Sequence, residues 1–496
     1  MWYFSWILGV GLAVGFGVLN GLWHEFHLFD EGDQGLPAGA DVRTTRELIA
    51  RYDAHAPRYT SYPTAAQFTP AVGAADWGAW LSAAPLDRAV SLYLHIPFCK
   101  RLCWYCGCNT RAMNRVAPMS SYVDLLLKEA DLVLARMGGL NGRRLRVGSI
   151  HLGGGTPNML PPDELERLFA GLAARFDLGD CFEIAAELDP EVLTQDWIEA
   201  AGRIGLSRAS LGVQDLSPVV QAAVNRPESF ETIRWAAQAL RAQGVTSLNL
   251  DLMYGLPLQA VENVVNTVAQ VATLRPDRIA LFGYAHVPWM KSHQKLIKDA
   301  DLPGAEARFA QSQAAARYLV QKGWQAIGLD HFALPHDSMA AAARAGRLRR
   351  NFQGYTTDEA PVLIGLGASS ISRTPLGFVQ NHTQERDWRA AVEAGDLPVA
   401  RGVALNPRDA FVGEIIERLM CDFAVDVADL ARRHGRALAE VDAAWPRLLP
   451  FQLDGLAEVG GSVVTVTELG RPFVRAVCAA FDPAAVDIEK RHARVV

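Results

Sequence analysis

The chain has 496 residues, 48 of them Lys or Arg against 54 Asp or Glu, which leaves a net charge of −6. With 50% hydrophobic and 21% charged residues it is ordinary for a globular protein, and it is too long for one compact core, so two or three domains are expected. No global positive field draws it to nucleic acid, and seven cysteines in so long a chain exclude a disulfide framework and point to a reducing compartment.

The first predicted element is Trp2 to Trp23 (WYFSWILGVGLAVGFGVLNGLW), 22 residues without a charge. A helix of that length spans the hydrocarbon core of a bilayer. Trp2, Tyr3, Trp6 and Trp23 lie near its ends, as interfacial aromatics do. A signal peptide fits less well, because no Lys or Arg precedes the apolar run and no small-residue cleavage site comes after it. A buried core helix is disfavoured by Glu25, Asp30, Glu31 and Asp33 directly after the run. Residues 32–45 (GDQGLPAGADVRTT) read as a linker.

From residue 91 short β-rich runs alternate with longer amphipathic ones. The predicted strands are Ser91–Ile96, Val147–Leu152, Phe182–Leu188, Arg208–Val213, Ser247–Met253 and Arg278–Tyr284. Helical periodicity covers Tyr122–Met137, Pro162–Phe176, Gln195–Ile204 and Ser229–Gln243. Such alternation implies a parallel sheet with helices outside it. A partial or full β/α barrel and a doubly wound open sheet both satisfy the periodicity. The residues just past each strand favour the barrel: the cysteines, then Gly153-Gly-Gly-Thr-Pro157, Glu187-Leu-Asp189, Gln214-Asp215, Asp251 with Gly255-Leu-Pro257, and Tyr284-Ala-His286. A β/α barrel assembles its active site at those carboxyl ends.

Cys99, Cys103 and Cys106 form C-x3-C-x2-C within His95-Ile-Pro-Phe-Cys-Lys-Arg-Leu-Cys-Trp-Tyr-Cys-Gly-Cys-Asn109. Three thiolates can hold three irons of a [4Fe-4S] cubane and leave the fourth open to a small chelating molecule. A structural zinc site is the competing reading, but no second Cys/His pair answers this one. Cys108 would close the open iron if it were a fourth ligand, so a spare thiol near the substrate suits it better. The glycines at 153–155 permit close backbone approach, while neither a Walker loop nor G-x-G-x-x-G is present. Beyond about Gln380 the alternation loosens; Asp409–Cys421 and Val427–His434 read as helices, Gly461–Val466 as a strand and Gly470–Ala480 as a last helix. This suits a small winged-helix-like lid, without the basic stripe of a DNA-binding one.

C-x3-C-x2-C after the first strand and GGGTP after the second resemble the radical S-adenosylmethionine (SAM) enzymes. More narrowly, residues 46 to about 480 resemble the oxygen-independent coproporphyrinogen III oxidases of haem biosynthesis. The strings that carry this are Arg58-Tyr-Thr-Ser-Tyr-Pro-Thr-Ala65, Tyr93-Leu-His-Ile-Pro-Phe-Cys99, Cys106-Gly-Cys-Asn109, Leu211-Gly-Val-Gln-Asp215, Asp251-Leu-Met-Tyr-Gly-Leu-Pro257, Tyr284-Ala-His-Val-Pro288, Asp330-His-Phe-Ala333 and Asn351-Phe-Gln-Gly-Tyr-Thr-Thr357. The resemblance implies a partial (β/α)6 barrel over residues 46–379, with a substrate-contacting N-terminal segment, and a mostly helical domain over 380–496. It implies a [4Fe-4S] cluster on Cys99, Cys103 and Cys106 and two SAM molecules. By motif position, Tyr93, Gly154, Glu187 and Ile371 would contact the first. Tyr105, Gly155, Thr156, Gln214, Arg226, Asp251 and Ala285 would contact the second. The family's reaction turns two propionates of coproporphyrinogen III into vinyls through a 5′-deoxyadenosyl radical. That substrate carries four carboxylates, and Arg58 and Arg350, with Cys108 nearby, are the candidates to meet it. A haem-binding chaperone of the same family is the alternative; that branch lacks the Cys-Gly-Cys-Asn and NFQGYTT strings. No motif names the electron donor or acceptor.

Residues 1–31 separately resemble the small single-helix subunit of cytochrome bd oxidase. The likeness implies a natural fusion, or a start assigned upstream that joins two reading frames. It also implies a cytoplasmic catalytic domain anchored in the inner membrane beside that oxidase. The helix would then run N-terminus outward, in keeping with Arg43, Arg46 and Arg51 on its carboxyl side.

Overall fold

The computed structural model describes residues 44–485 except 54, 55, 114, 116 and 141. The expected membrane helix and most of the linker lie outside these residues. Among the described residues no helix is long and apolar enough to cross a membrane.

Six strands pair in chain order, each parallel to the one before: β1 (Val90–Ile96), β2 (Leu145–Gly154), β3 (Glu183–Leu188), β4 (Arg208–Gln214), β5 (Ser247–Tyr254) and β6 (Arg278–Gly283). The crossovers carry α1 (Ala117–Arg136), α2 (Pro162–Arg175), α3 (Gln195–Arg203), α4 (Phe230–Ala242) and α5 (Val261–Ala272). A doubly wound sheet reverses its strand order at a switch point. None of the six reverses, so the winding is that of a barrel. The barrel stays open. β1's other neighbour is β9 (Leu363–Leu366), and β6's is β8 (His331–Ala333), which pairs in turn with β7 (Gln325–Ile327). α6 (Ala305–Gln321) packs beside α5.

Leu92, Leu94 and Ile96 of β1 are fully buried, and so are Leu248 and Leu250 of β5. Strands covered on both faces read as near-continuous apolar runs, which is why the sequence marks them clearly. The helices are started locally. Thr194 accepts from the Trp197 N–H at 3.2 Å ahead of α3, and Ser229 accepts from the Thr232 N–H at 3.0 Å ahead of α4.

The sheet continues past β9 through β10 (Ile371–Thr374), β11 (Gly377–Asn381) and β12 (Val399–Ala404), all antiparallel. The boundary expected at residue 380 therefore falls inside the main sheet. The C-terminal unit comprises α7 (Pro407–Asp422), α8 (Val427–His434), α9 (Ala444–Leu453), α10 (Val474–Ala479) and a small antiparallel sheet. That sheet orders β13 (Ala424–Asp426), β15 (Val463–Val466) and β14 (Ala457–Gly460). Its core also takes Leu48, Ile49, Tyr52, Ala56 and Tyr59 from the start of the chain. Tyr52 stacks on Phe451 with centroids 4.8 Å apart and donates its hydroxyl to Asp454 at 2.6 Å. The first segment, expected to belong with the barrel, is thus built into the C-terminal core, to which its helix Thr45–Tyr52 gives Leu48, Ile49 and Tyr52 as one apolar face.

Candidate active site at the carboxyl ends of the strands

The cysteine loop leaves β1 and returns beside it. Arg111 N donates to Pro97 O at 2.9 Å and Met113 N to Cys99 O at 2.8 Å, so the loop's two feet are tied together. Cys103 is buried, Cys99 and Cys106 are half-buried and Cys108 is exposed. Each of the first three sulfurs has polar company. Cys99 Sγ lies 2.9 Å from Thr110 Oγ1 and 3.4 Å from Thr156 Oγ1. Arg226 Nη1 reaches Cys103 Sγ at 3.6 Å, and the Cys108 N–H points at Cys106 Sγ at 3.4 Å. A hydrogen bond from Cys108 draws the Cys106 thiol down to about 7, against the opposing effect of burial and with help from Lys291 and Arg226. Burial pushes the Cys99 thiol up.

These residues fit a cubane cluster. Hydrogen-bond donors at the sulfurs stabilise thiolates and tune such clusters. Among the described residues no three His, Cys, Asp or Glu converge as a single ion's ligands must. A cubane does not ask for that, since each thiolate binds its own iron.

The three consecutive glycines of β2 and its turn lie against this loop. At Gly154, φ is +107°, and a Cβ would sit 2.4 Å from the His95 ring. At Gly155 a Cβ would meet Thr110 Oγ1 at 2.6 Å and Phe98 O at 2.7 Å. Gly155 N donates to Ile96 O at 2.8 Å and Thr156 N to Phe98 O at 2.7 Å, which locks the loop to the strand end. His95 carries its proton on Nε2, which faces the carbonyl of Asn109 at 2.8 Å; Nδ1 then accepts from the Tyr93 hydroxyl at 3.0 Å. Burial holds the His95 pKa down, so the ring is neutral.

Tyr93 and Glu187 both approach Gly153: a Cβ there would lie 3.0 Å from each. Glu187 accepts from the Gly154 N–H at 3.2 Å and lies 3.4 Å from His151 Nε2. Burial would raise its pKa, but His151 and the Gly154 N–H outweigh it and keep the carboxylate ionised. Ile371 opens β10, and its carbonyl covers Gly365, the residue paired with Tyr93 across β1 and β9.

A second group gathers at Arg226, which is 9% exposed. Its Nη2 donates to Asp189 Oδ1 at 3.1 Å and to the Gly212 carbonyl; its Nη1 lies 3.4 Å from Asp189 Oδ2. Gly212 pairs with Asp251 across β4 and β5. Asp251 accepts from Ser210 and Asn249, each at 2.7 Å, and burial raises its pKa. A bulge at the end of β4 puts Gln214 at φ +69°, an uncommon conformation for a residue that carries a side chain.

Tyr105 and Ala285 join through Gln294, which is 1% exposed. Gln294 Nε2 donates to Tyr105 O at 2.9 Å and Ala285 O at 3.3 Å, while its Oε1 accepts from Val287 N at 2.6 Å. His293 Nε2 reaches Cys106 O at 2.7 Å and Lys291 Nζ reaches Cys108 O at 3.0 Å. The segment after β6 therefore clamps the cysteine loop. Asp189 is legible in the sequence among the polar residues at the carboxyl end of its strand, but its pairing with Arg226 is not. Gln294, His293 and Lys291 are not legible as site residues, because they bond to main-chain carbonyls. Arg58 and Arg350 stand together elsewhere: Arg350 Nη2 donates to Arg58 O at 3.3 Å, and Arg58 Nη2 to Gly283 O at 3.0 Å. Cys108 is not with them; it stays on the cysteine loop.

Comparison with known proteins places this geometry. The radical SAM superfamily matches residues 93–270, the HemN C-terminal domain residues 405–473, and the membrane-bound YbgT-like protein family residues 1–27. The oxygen-independent coproporphyrinogen III oxidase of Bradyrhizobium diazoefficiens is 43% identical over 89% of this chain and 97% of its own length. The Escherichia coli enzyme of the same name is 38% identical over 88% of this chain and 94% of its own. The solved structure of the Escherichia coli coproporphyrinogen III oxidase, described as a radical SAM enzyme, superposes with a TM-score of 0.82 at 36% identity, covering 89% of this chain and 99% of that one. The chain belongs to the oxygen-independent coproporphyrinogen III oxidase family of radical SAM enzymes.

Proposed function

We propose that this chain carries out the oxygen-independent oxidative decarboxylation of coproporphyrinogen III to protoporphyrinogen IX, two propionates becoming vinyls, in haem biosynthesis. The observation that carries the reading is the cysteine loop, tied at its feet and clamped from the far side, at the carboxyl end of a barrel whose relatives bear that name. Cys99, Cys103 and Cys106 would hold the [4Fe-4S] cluster; when bound, it and SAM supply the electron and the hydrogen-abstracting group.

The chain's own part is to hold and to shield. Glu187, ionised against His151 and the Gly154 N–H, offers an acceptor to an ammonium or ribose hydroxyl beside Tyr93. Gly154 keeps the wall low where a cofactor's amino-acid end would lie. Ile371 would close the same side. Tyr105, Gly155, Thr156, Gln214, Arg226, Asp251 and Ala285 would receive a second SAM. Arg226 would offer that molecule its Nε–H, the guanidinium donor that Asp189, the Gly212 carbonyl and Cys103 leave unmet among the described residues. Anaerobic assay of cluster-loaded protein tests the reading: protoporphyrinogen IX formed with SAM and a reductant is expected. Haem binding without turnover would instead make it the chaperone of the same family.

Residues 1–27 support a second, separate proposal, that an N-terminal helix tethers the enzyme in the inner membrane beside cytochrome bd oxidase, with the catalytic unit in the cytoplasm. The match to a membrane-bound protein family carries it. Intact mass of the native protein in membrane and soluble fractions tests it; a product starting near residue 40 in the soluble fraction would end it.

A further inference from the structure

Beside the carboxyl ends of β5 and β6 lies a cavity of about 620 Å³. That is within the size range of ligand pockets, about 300–1,000 Å³. Arg58, Arg308, Arg317, Arg350, Arg471 and Arg475 line it, from four separate parts of the chain. Phe282 and Phe352 supply apolar wall. The acids on its lining are Asp330 and Glu468, and Glu468 is already paired with Arg471 at 2.7 Å.

Arg350 and Arg475 are only 8% and 6% exposed. Three of these arginines hydrogen-bond neutral carbonyls: Arg350 Nε to Tyr59 O at 3.2 Å, Arg475 Nη1 to Ala56 O at 3.2 Å, and Arg58 Nη2 to Gly283 O at 3.0 Å. The Arg350 guanidinium lies over the Tyr355 ring at 4.3 Å, and its Nη1 is buried without a hydrogen-bond partner among the described residues. Asp330 is the carboxylate that feels Arg350 and Arg58, and it is already held by His331 Nδ1 at 2.7 Å. Burial, with Arg58 and Arg350 nearby, draws Arg475 down to about 10. Buried cations persist only when anions pair with them. Of the arginines on the lining, Arg58, Arg317 and Arg350 form no ion pair with a described residue, so the anion they ask for comes from outside, and a guanidinium fork matches a carboxylate.

We propose that Arg58, Arg350 and Arg475 form a carboxylate site that grips the tetrapyrrole by the two propionates it keeps, with the ring lying in the cavity. The proposal rests on the functional reading that the substrate is coproporphyrinogen III. A propionate that leaves as CO2 forfeits any ion pair, so a grip that lasts through both turnovers must fall on the retained pair. The C-terminal helix α10, through Arg475, then helps to select the substrate.

The test is fluorescence titration of the full-length, cluster-loaded protein with coproporphyrin III, the unreactive oxidised form. Arg58→Gln and Arg475→Met are each expected to weaken binding by about tenfold or more, with Arg475→Lys in between, while SAM cleavage under reductant is unchanged. Arg58 is exposed, so its variant leaves the core intact. The tetramethyl ester should bind at least about tenfold more weakly than the acid, and protoporphyrin IX, which keeps two propionates, within about fivefold of it. Variants that bind as the parent does, an ester that binds like the acid, or a protoporphyrin loss as large as the ester's would overturn the site. An unaltered chain that cleaves SAM yet never converts coproporphyrinogen would instead sink the functional reading itself.

Discussion

Arg226 holds Asp189 with both terminal nitrogens, at 3.1 and 3.4 Å, and turns the same guanidinium toward Cys103 Sγ at 3.6 Å. One side chain thereby links the end of β3, the turn after β4 and the cysteine loop. The two charged groups are about nine-tenths buried, so each depends on the other.

Arg226→Ala is expected to cost about 3–5 kcal/mol of stability, because it strands a buried carboxylate. Arg226→Lys should recover part of this, since an ammonium cannot span both oxygens. Denaturant unfolding gives the first quantity. Iron content after reconstitution checks the link to Cys103, and an Arg226→Ala protein that loads iron like the parent would remove it.

Gly154→Ala places a methyl 2.4 Å from the His95 ring at a φ of +107°. The expected cost is about 1–3 kcal/mol, with SAM binding lost as the ring is pushed toward Tyr93. Thermal unfolding and SAM titration check both; a variant as stable as its parent would contradict the packing.

Cys108 is separated from the three candidate ligands by its exposure. Cys108→Ala is expected to keep the full iron load and the change in the electron paramagnetic resonance signal on adding SAM. Cys99→Ala, Cys103→Ala and Cys106→Ala should each lose the cluster. Iron loss in the Cys108 variant would make it a ligand.

Gln294→Leu removes a donor that serves two carbonyls and an acceptor for the Val287 N–H. Each buried group left unmet costs about 1–3 kcal/mol. The cysteine loop should loosen, read as faster iron release to a chelator. Unchanged release would mean that the segment after β6 does not clamp the loop.

Glu129 is 1% exposed and accepts from Gly367 N at 2.7 Å, Asn381 Nδ2 at 2.6 Å and Trp388 Nε1 at 2.9 Å. Burial nonetheless raises its pKa from 4.5 to about 7. The folded state therefore binds the extra proton, so this group's contribution is full below about pH 4.5 and is lost as pH rises through 7. The span corresponds to about 3 kcal/mol. Glu129→Gln should flatten the fall in Tm between pH 5 and about 7.5. It should also lower stability at acid pH, because the new amide would face the Asn381 amide, itself fixed by Gly367 O and Ser370. A pH profile parallel to the parent's would show that Glu129 does not titrate there.

What the sequence determined by itself is what short range and periodicity encode. The cysteine spacing, the three glycines and the six apolar runs with polar ends are local patterns, and parallel strands in sequential order carry those ends to one rim without further instruction. Tertiary structure alone decided the rest. Tyr52 meets Asp454 across 402 positions, and Arg350 meets the Arg58 carbonyl across 292. Gln294 acts through main-chain carbonyls, which every residue carries, so its role leaves no mark in the string. Arg308, Arg317, Arg471 and Arg475 look like separate solvated charges when read in order. Folding gathers them with Arg58 and Arg350 around one cavity, and no single segment holds that set.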